Sequence, residues 1–201
     1  MIAQLERMPD RISYEDFLAT VDEGSHAEWV DGEIFDVTPP SEEHARISTY
    51  LSHILSGYVR RKGLGGRVYH APFQMKLARS GREPDVLYVS RDAVARLQKG
   101  WLEGPGDLAV EVLSPESRVR DRREKFIEYE QAGVREYWLV DPLARTVEVF
   151  RLNSAGLYEP VPGGEPSRVQ SEVIPGLWID PSWLWADEPD EWVAYEEWGL
   201  I

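Results

Sequence analysis

Two carboxylates stand in this chain where burial makes them expensive. Glu111 lies inside the apolar run Leu108-Ala109-Val110-Glu111-Val112-Leu113, and Asp85 opens the run Val86-Leu87-Tyr88-Val89 directly after Pro84. Near-continuous apolar runs of this length suit strands covered on both faces, and a proline, with no N–H to donate, suits a strand start. A carboxylate taken into such a strand costs several kcal/mol unless it is paired or bound to a metal. One such acid is ordinarily satisfied by an arginine; two on neighbouring strands point to a shared cation. The chain has no cysteine, so thiolate sites are excluded and any metal would be held by oxygen or imidazole. Mg²⁺ or Mn²⁺ meets that condition, since each prefers carboxylate oxygen, keeps several waters and needs only one or two protein acids beside a substrate phosphate. Such an ion lowers the pKa of a bound water and offsets charge developing on a phosphoryl group, and a nearby lysine would stabilise the same charge. The chemistry requires an acid, a second acid and a lysine.

The elements that must position them follow from periodicity. Ser13 and Asp16 have the spacing of a helix start, predicting a short helix over 14–21. A hairpin is expected over 26–37 around Asp31-Gly32, a strong two-residue turn signal. After Pro39-Pro40, Ser41 can cap a long helix whose apolar positions Ala45, Ile47, Tyr50, Leu51, Ile54, Leu55 and Tyr58 keep helical spacing to about Arg61. Strands are expected over 73–77, 85–89 and 108–113, with a short helix over 93–99. A charged amphipathic helix over 119–132 should close at Gly133, followed by a strand at 136–140 and its hairpin partner at 146–152. The result is one α/β domain of 201 residues, a mixed central sheet flanked by helices, with an acidic, Trp-rich tail from about residue 181.

Composition limits the partners. A formal charge of −14 opposes nucleic-acid binding, because phosphate contacts need Lys and Arg. The charge is uneven, however: eight acids and no basic residue follow Arg168, so the first 168 residues carry 22 basic against 28 acidic groups. Local basic surface therefore remains available. The lack of cysteine, of a signal-like apolar start and of any run of about 18 apolar residues gives the expectation of a cytoplasmic protein with no membrane partner.

The ordered set Glu83-Pro84-Asp85-Val86, Glu111-Val112-Leu113-Ser114-Pro115, Asp121, Lys125, Tyr129 and Val134-Arg135-Glu136-Tyr137-Trp138-Leu139-Val140-Asp141-Pro142 resembles the Uma2 (DUF820) family, within the PD-(D/E)xK, restriction-endonuclease-like superfamily. Val30-Asp31-Gly32-Glu33 and Pro-Pro-Ser-Glu-Glu-His at 39–44 are similar to it too, and the resemblance covers roughly residues 13–180. It implies an αβββαβ core with metal on Asp85 and Glu111. One departure matters: the superfamily lysine two residues after the second acid is replaced by Leu113. The resemblance supplies the lysine from the following helix, at Lys125; Lys76 is its rival, since a strand could also deliver an amine. It also favours a site role for His44, in the first turn of the long helix beside Glu43, where an imidazole could accept a proton or contact a phosphate. The plain alternatives are a solvated helix lysine, a capping histidine and a dipole interaction for Glu43. Tyr129 is an accessory candidate.

Arg118, Arg120, Arg122 and Arg123, with Lys125, place five basic groups within eight positions. They would suit a face that positions DNA phosphates, or equally a solvated helix laced with ion pairs. The tail indoles Trp178, Trp183, Trp185, Trp192 and Trp198 suggest a docking surface, a homodimer contact or a cover for basic surface. The expected activity is a Mg²⁺- or Mn²⁺-dependent endonuclease acting on DNA. The competing readings are an interaction module on a silent nuclease fold and a phosphodiesterase acting on small nucleotides.

Overall fold

A computed structural model describes residues 11–22, 26–162 and 168–201. Helix α1 (Tyr14–Thr20) starts on Ser13, whose hydroxyl accepts from the Asp16 amide, as its spacing predicts. It buries Tyr14 and Phe17 against the hairpin of β1 (Ala27–Val30) and β2 (Glu33–Asp36). The turn between them places Asp31 and Gly32 at φ 53° and 91°, the left-handed pair that a tight two-residue hairpin needs.

Two principal sheets form. The six-stranded sheet contains β3 (Arg67–His70), β6 (Val86–Val89), β8 (Leu108–Val112), β9 (Glu136–Asp141), β10 (Thr146–Leu152) and β11 (Tyr158–Pro160), in the order β11-β10-β9-β8-β6-β3. It is mixed: β8 and β9 run parallel, and the other neighbours antiparallel. The N-terminal hairpin lies outside this sheet. Through β1 it joins β4 (Gln74–Lys76), β5 (Ser80–Arg82) and β7 (Trp101–Glu103) in a five-stranded sheet ordered β2-β1-β5-β4-β7.

Helix α2 (Glu42–Arg61), capped by Ser41, lays Ile47, Leu51, Ile54, Leu55 and Tyr58 on the face of the large sheet that carries Val86, Tyr88, Leu108, Val110 and Val112. Alternate residues of the same strands, Leu87, Val89 and Ala109, with Leu113, pack on the other face with Tyr129 and Tyr137. Burying each Leu or Ile contributes about 1.5–3 kcal/mol. A one-residue slip of β8 would exchange these faces and push Glu111 under α2, so the two apolar sets fix the register.

Two helices differ from expectation. The segment predicted as a helix over 93–99 is a 3₁₀ turn, Arg91–Arg96. Beyond it Leu97 bridges to Leu102 and Gln98 N–H donates to Trp101, folding the chain back at Gly100 (φ 102°) and leaving no length for an α-helix. The expected helix over 119–132 is wound as a π-turn over Arg120–Lys125 before α3 (Phe126–Ala132) begins. Four residues overshoot an α-turn by about 40°, whereas a wider turn undershoots. Joining the two keeps Asp121, Lys125 and Tyr129 all on the buried side.

The tail folds back along α2. Asp190 caps α4 (Glu191–Glu197), Trp198 sits edge-on to Tyr58 with ring centroids 5.0 Å apart, and Tyr195 Oη reaches the His53 carbonyl at 3.4 Å. A Cβ at Gly57 would overlap the Tyr195 hydroxyl, so the glycine permits this approach. Trp198, Trp183 and Trp178 pack on this core within the chain, and Trp192 is an exposed indole. No described helix is long and apolar enough to cross a membrane.

Candidate active site

Strand register brings the two acids together. Val86 pairs with Val110 in the antiparallel β6–β8 ladder, so one step further places Asp85 across from Glu111, on the face of Leu87 and Ala109. Asp85 is held by its neighbours: the Val112 amide donates to Oδ2 at 2.7 Å, and His44 Nε2 lies 2.9 Å from Oδ1. The Ser41 cap fixes the first turn of α2 by accepting from the His44 amide, which aims the imidazole at Asp85. Burial opposes charge on that imidazole, but the hydrogen bond and charge of Asp85, helped by Asp121, outweigh it and raise its pKa. The ring's buried Nδ1 has no hydrogen-bond partner among the described residues.

Glu111 is 3% exposed. Tyr129 Oη donates to its Oε1 at 2.8 Å, and Lys125 Nζ lies 2.9 Å from its Oε2. The same ammonium is 3.2 Å from Glu28 and 3.5 Å from Asp121. Burial alone would neutralise Lys125, yet Glu111, Glu28, Asp121 and Asp85 hold it protonated, well above the usual lysine range. Glu111 responds in the opposite way to its crowding. Burial raises its pKa well above the carboxylate range, Lys125 counters that in part, and Asp121, Asp85 and Glu28 add to it.

The acids here exceed the cations. Glu111 is driven toward protonation, and among the described residues buried Asp121 Oδ1 has only the Lys125 ammonium, at 3.5 Å, and no closer hydrogen-bond donor. Both features fit the addition of a divalent cation. No three His, Asp or Glu among the described residues are gathered as a ready ligand set. Asp85 and Glu111 are the carboxylates that could hold such an ion, with water or phosphate completing the coordination. Asp85, Glu111, Lys125, His44 and Asp121 line one cavity of about 690 Å³.

The other expected residues separate. Glu43 lines the cavity but is exposed, 4.0 Å from Arg46. Tyr129 touches Glu111 from the buried side. Lys76 is not among the cavity residues: its ammonium is 3.3 Å from Glu103 and lies over the Tyr14 ring. Leu113 shares the face of Glu111, as period two required, and both packs in the core and lines the cavity. Of the arginines, Arg118 pairs with Asp141 at 2.8 Å, Arg122 pairs with Glu148, and Arg123 is exposed away from the cavity. Arg120 alone of the four lines the cavity, with its Nε unpaired.

Sequence reasoning missed Glu28, Arg82 and Glu83. Arg82 Nη1 donates to Glu28 at 2.8 Å, and its Nε and Nη2 reach Glu128 of α3 at 2.9 and 2.7 Å. The signal for Glu28 was its position between Ala27 and Trp29, an acid flanked by apolar residues in a strand. Burial raises the Glu83 carboxyl to about 7, against hydrogen bonds from Gln74 and Ala27 that lower it. Burial would also raise Glu28, but Lys125, Arg82 and Arg120 outweigh it and hold that carboxyl at about 2.

These shifts give opposite pH windows. Stability from Glu28 is full above the ordinary carboxylate pKa of about 4.5 and falls as pH drops toward about 2. Glu83 contributes below about 4.5, and its contribution is lost as pH rises through about 7. Glu83→Gln should therefore flatten the decline in stability between these pH values, measured by urea unfolding in chelator. An unchanged slope would show that Glu83 does not cause it.

Comparison with known proteins agrees with this architecture. A model of the Uma2 family, described as "Putative restriction endonuclease", matches residues 13–182. A crystal structure of "a putative nuclease belonging to DUF820" from Anabaena variabilis superposes with a TM-score of 0.71 at 18% identity, covering 87% of this chain and 97% of that one. The likeness is one of fold. No curated protein matches.

Proposed function

The chain belongs to the Uma2 family, and from that premise we propose that it is a Mg²⁺- or Mn²⁺-dependent endonuclease that hydrolyses phosphodiester bonds of DNA. The observation that carries this reading is the convergence of Asp85, Glu111 and Lys125 on one cavity whose buried acids outnumber its cations. Asp85 and Glu111 would hold the ion, which when bound supplies Lewis acidity toward phosphate and acidifies water.

The chain's own groups set the rest. Lys125 is a fixed positive charge beside Glu111, suited to offset charge gathering on phosphate oxygens. His44, with its pKa raised, is better suited to carry a positive charge beside Asp85 than to act as the base. Val112 N–H and His44 keep the Asp85 carboxylate oriented. Tyr129 fixes the other end of Glu111. Such supporting contacts commonly matter 10–100-fold (roughly) in metal affinity or activity.

The direct test is nicking of supercoiled plasmid with Mn²⁺ or Mg²⁺ against the same protein in chelator. Metal-dependent conversion to open circles is expected, and no conversion with either ion would reject the reading. One observation favours a silent interaction module instead: both Glu111 oxygens are already engaged, by Tyr129 and Lys125. That module would bind no metal and cut nothing. Cleavage of a small phosphodiester without plasmid nicking would move the substrate to small nucleotides.

Arg120 separates DNA contact from ordinary ion pairing. Arg120→Ala should raise KM for plasmid about 10-fold or more, the effect of one charged hydrogen bond, and reduce the salt slope of binding by about one. Arg118→Ala, which frees buried Asp141, should instead lower stability and leave the salt slope alone. Equal salt slopes for Arg120→Ala and wild type would remove Arg120 from the interface.

A further inference from the structure

The lysine of the site is held from a second sheet. Glu28, in β1, is 1% exposed and uses both oxygens: Oε1 is 3.2 Å from Lys125 Nζ and accepts from the Glu83 amide at 3.3 Å, while Oε2 accepts from Arg82 at 2.8 Å. Arg82 is in turn clamped by Glu128 of α3, which also takes the Ser80 hydroxyl. The carboxylate of Glu28 is therefore fixed by two donors, the Glu83 amide and Arg82, before it meets the ammonium.

Without Glu28, Lys125 would be left to Glu111 at 2.9 Å and Asp121 at 3.5 Å, with nothing to draw the ammonium toward the second sheet. With Glu28 present, the ammonium is divided between two rigid carboxylates on different sheets. We propose that Glu28 is a positioning residue of the nuclease site: by sharing the Lys125 ammonium with Glu111 it fixes where that charge sits, so that the five-stranded sheet is part of the catalytic apparatus. The inference rests on the nuclease reading for its kinetic consequence and on geometry for the placement of Lys125. It explains why the hairpin is tied into a sheet at the site, since β1–β5 pairing is what puts Glu28 next to Arg82 and Glu83.

The test uses Glu28→Asp, which keeps the charge but draws the carboxylate back by one methylene, with Glu28→Gln as the second variant and Lys76→Arg, outside the cavity beside Glu103, as a control. In plasmid cleavage, Glu28→Asp should lower kcat by about 10- to 100-fold, the cost of misplacing a catalytic group by an ångström or so. KM should change by no more than about twofold, since substrate contacts are untouched. In lysine-¹⁵N-labelled protein without metal, the Lys125 ammonium resonance should shift in both Glu28 variants and hold its position in Lys76→Arg. A purely structural role would reduce activity with the folded fraction and leave that resonance in place in folded molecules. Wild-type kcat in Glu28→Asp, or an unmoved Lys125 resonance in either folded Glu28 variant, would overturn the proposal. Should the wild type cut no DNA, the nuclease reading fails by itself, and the resonance still decides whether Glu28 places Lys125.

Discussion

Replacing Lys125 with alanine is expected to lower the free energy of unfolding by about 3–5 kcal/mol, the usual consequence of removing one partner from a buried ion cluster. For a chain of this size that is a fall in melting temperature of roughly 6–20 °C. The ammonium is 3% exposed and compensates Glu111, Glu28 and Asp121 at 2.9, 3.2 and 3.5 Å. Alanine would leave three buried carboxylates facing one another, with only Arg82 close to Glu28. Part of the loss should return when Glu111 is also neutralised, so Lys125→Ala with Glu111→Gln should be less damaging than the single effects added together. A loss below about 1 kcal/mol, the range of an exposed pair, would mean that Lys125 is solvated in solution and is not the centre of this cluster.

The second large effect is on chemistry rather than stability. Asp85→Asn should reduce plasmid nicking by at least about 100-fold, since a metal ligand contributes several kcal/mol to the transition state and each 1.4 kcal/mol is about tenfold. Its cost in stability should be near 1 kcal/mol. The side chain is 16% exposed, and an amide oxygen can still accept from the Val112 amide at the 2.7 Å position. The two substitutions therefore dissociate: Lys125→Ala damages folding, whereas Asp85→Asn leaves a folded protein that does not cut. Nicking within about fivefold of wild type in Asp85→Asn would deny Asp85 a ligand role.

Asp85, Glu111 and their strands were legible in the sequence because cost makes them so. An acid inside an apolar run has few physical outcomes, and period-two alternation assigns it a face. Counting two residues from Glu111 likewise places Leu113 on the same face, so the strand itself offers no cation there. Lys125 was reached through motif order rather than geometry, and Lys76 could not be separated from it, because an amine on a four-carbon stem gives no sign of where it ends. The winding of Arg120–Lys125 was hidden for a related reason: apolar periodicity does not distinguish an α-turn from a π-turn over six charged residues. Glu28 was missed because its neighbours Ala27 and Trp29 belong to a four-residue strand, too short for its alternation to stand out. Its partners Arg82 and Lys125 are 54 and 97 positions away, and only the pairing of β1 with β5 brings the first of them near. Buried Glu136 and Asp141 mark the limit of the cost argument, since both are satisfied by arginines and neither is in the cavity.

Calorimetric titration of Mn²⁺ into the folded wild type and into Asp85→Asn tests the metal centre most directly, because it reads the cation without requiring cleavage. The expected result is a saturable heat in the wild type that disappears in the variant, with proton release as the ion displaces the proton held by the acid cluster. No binding in the wild type, or the same binding in both proteins, would contradict a metal site built on Asp85 and Glu111.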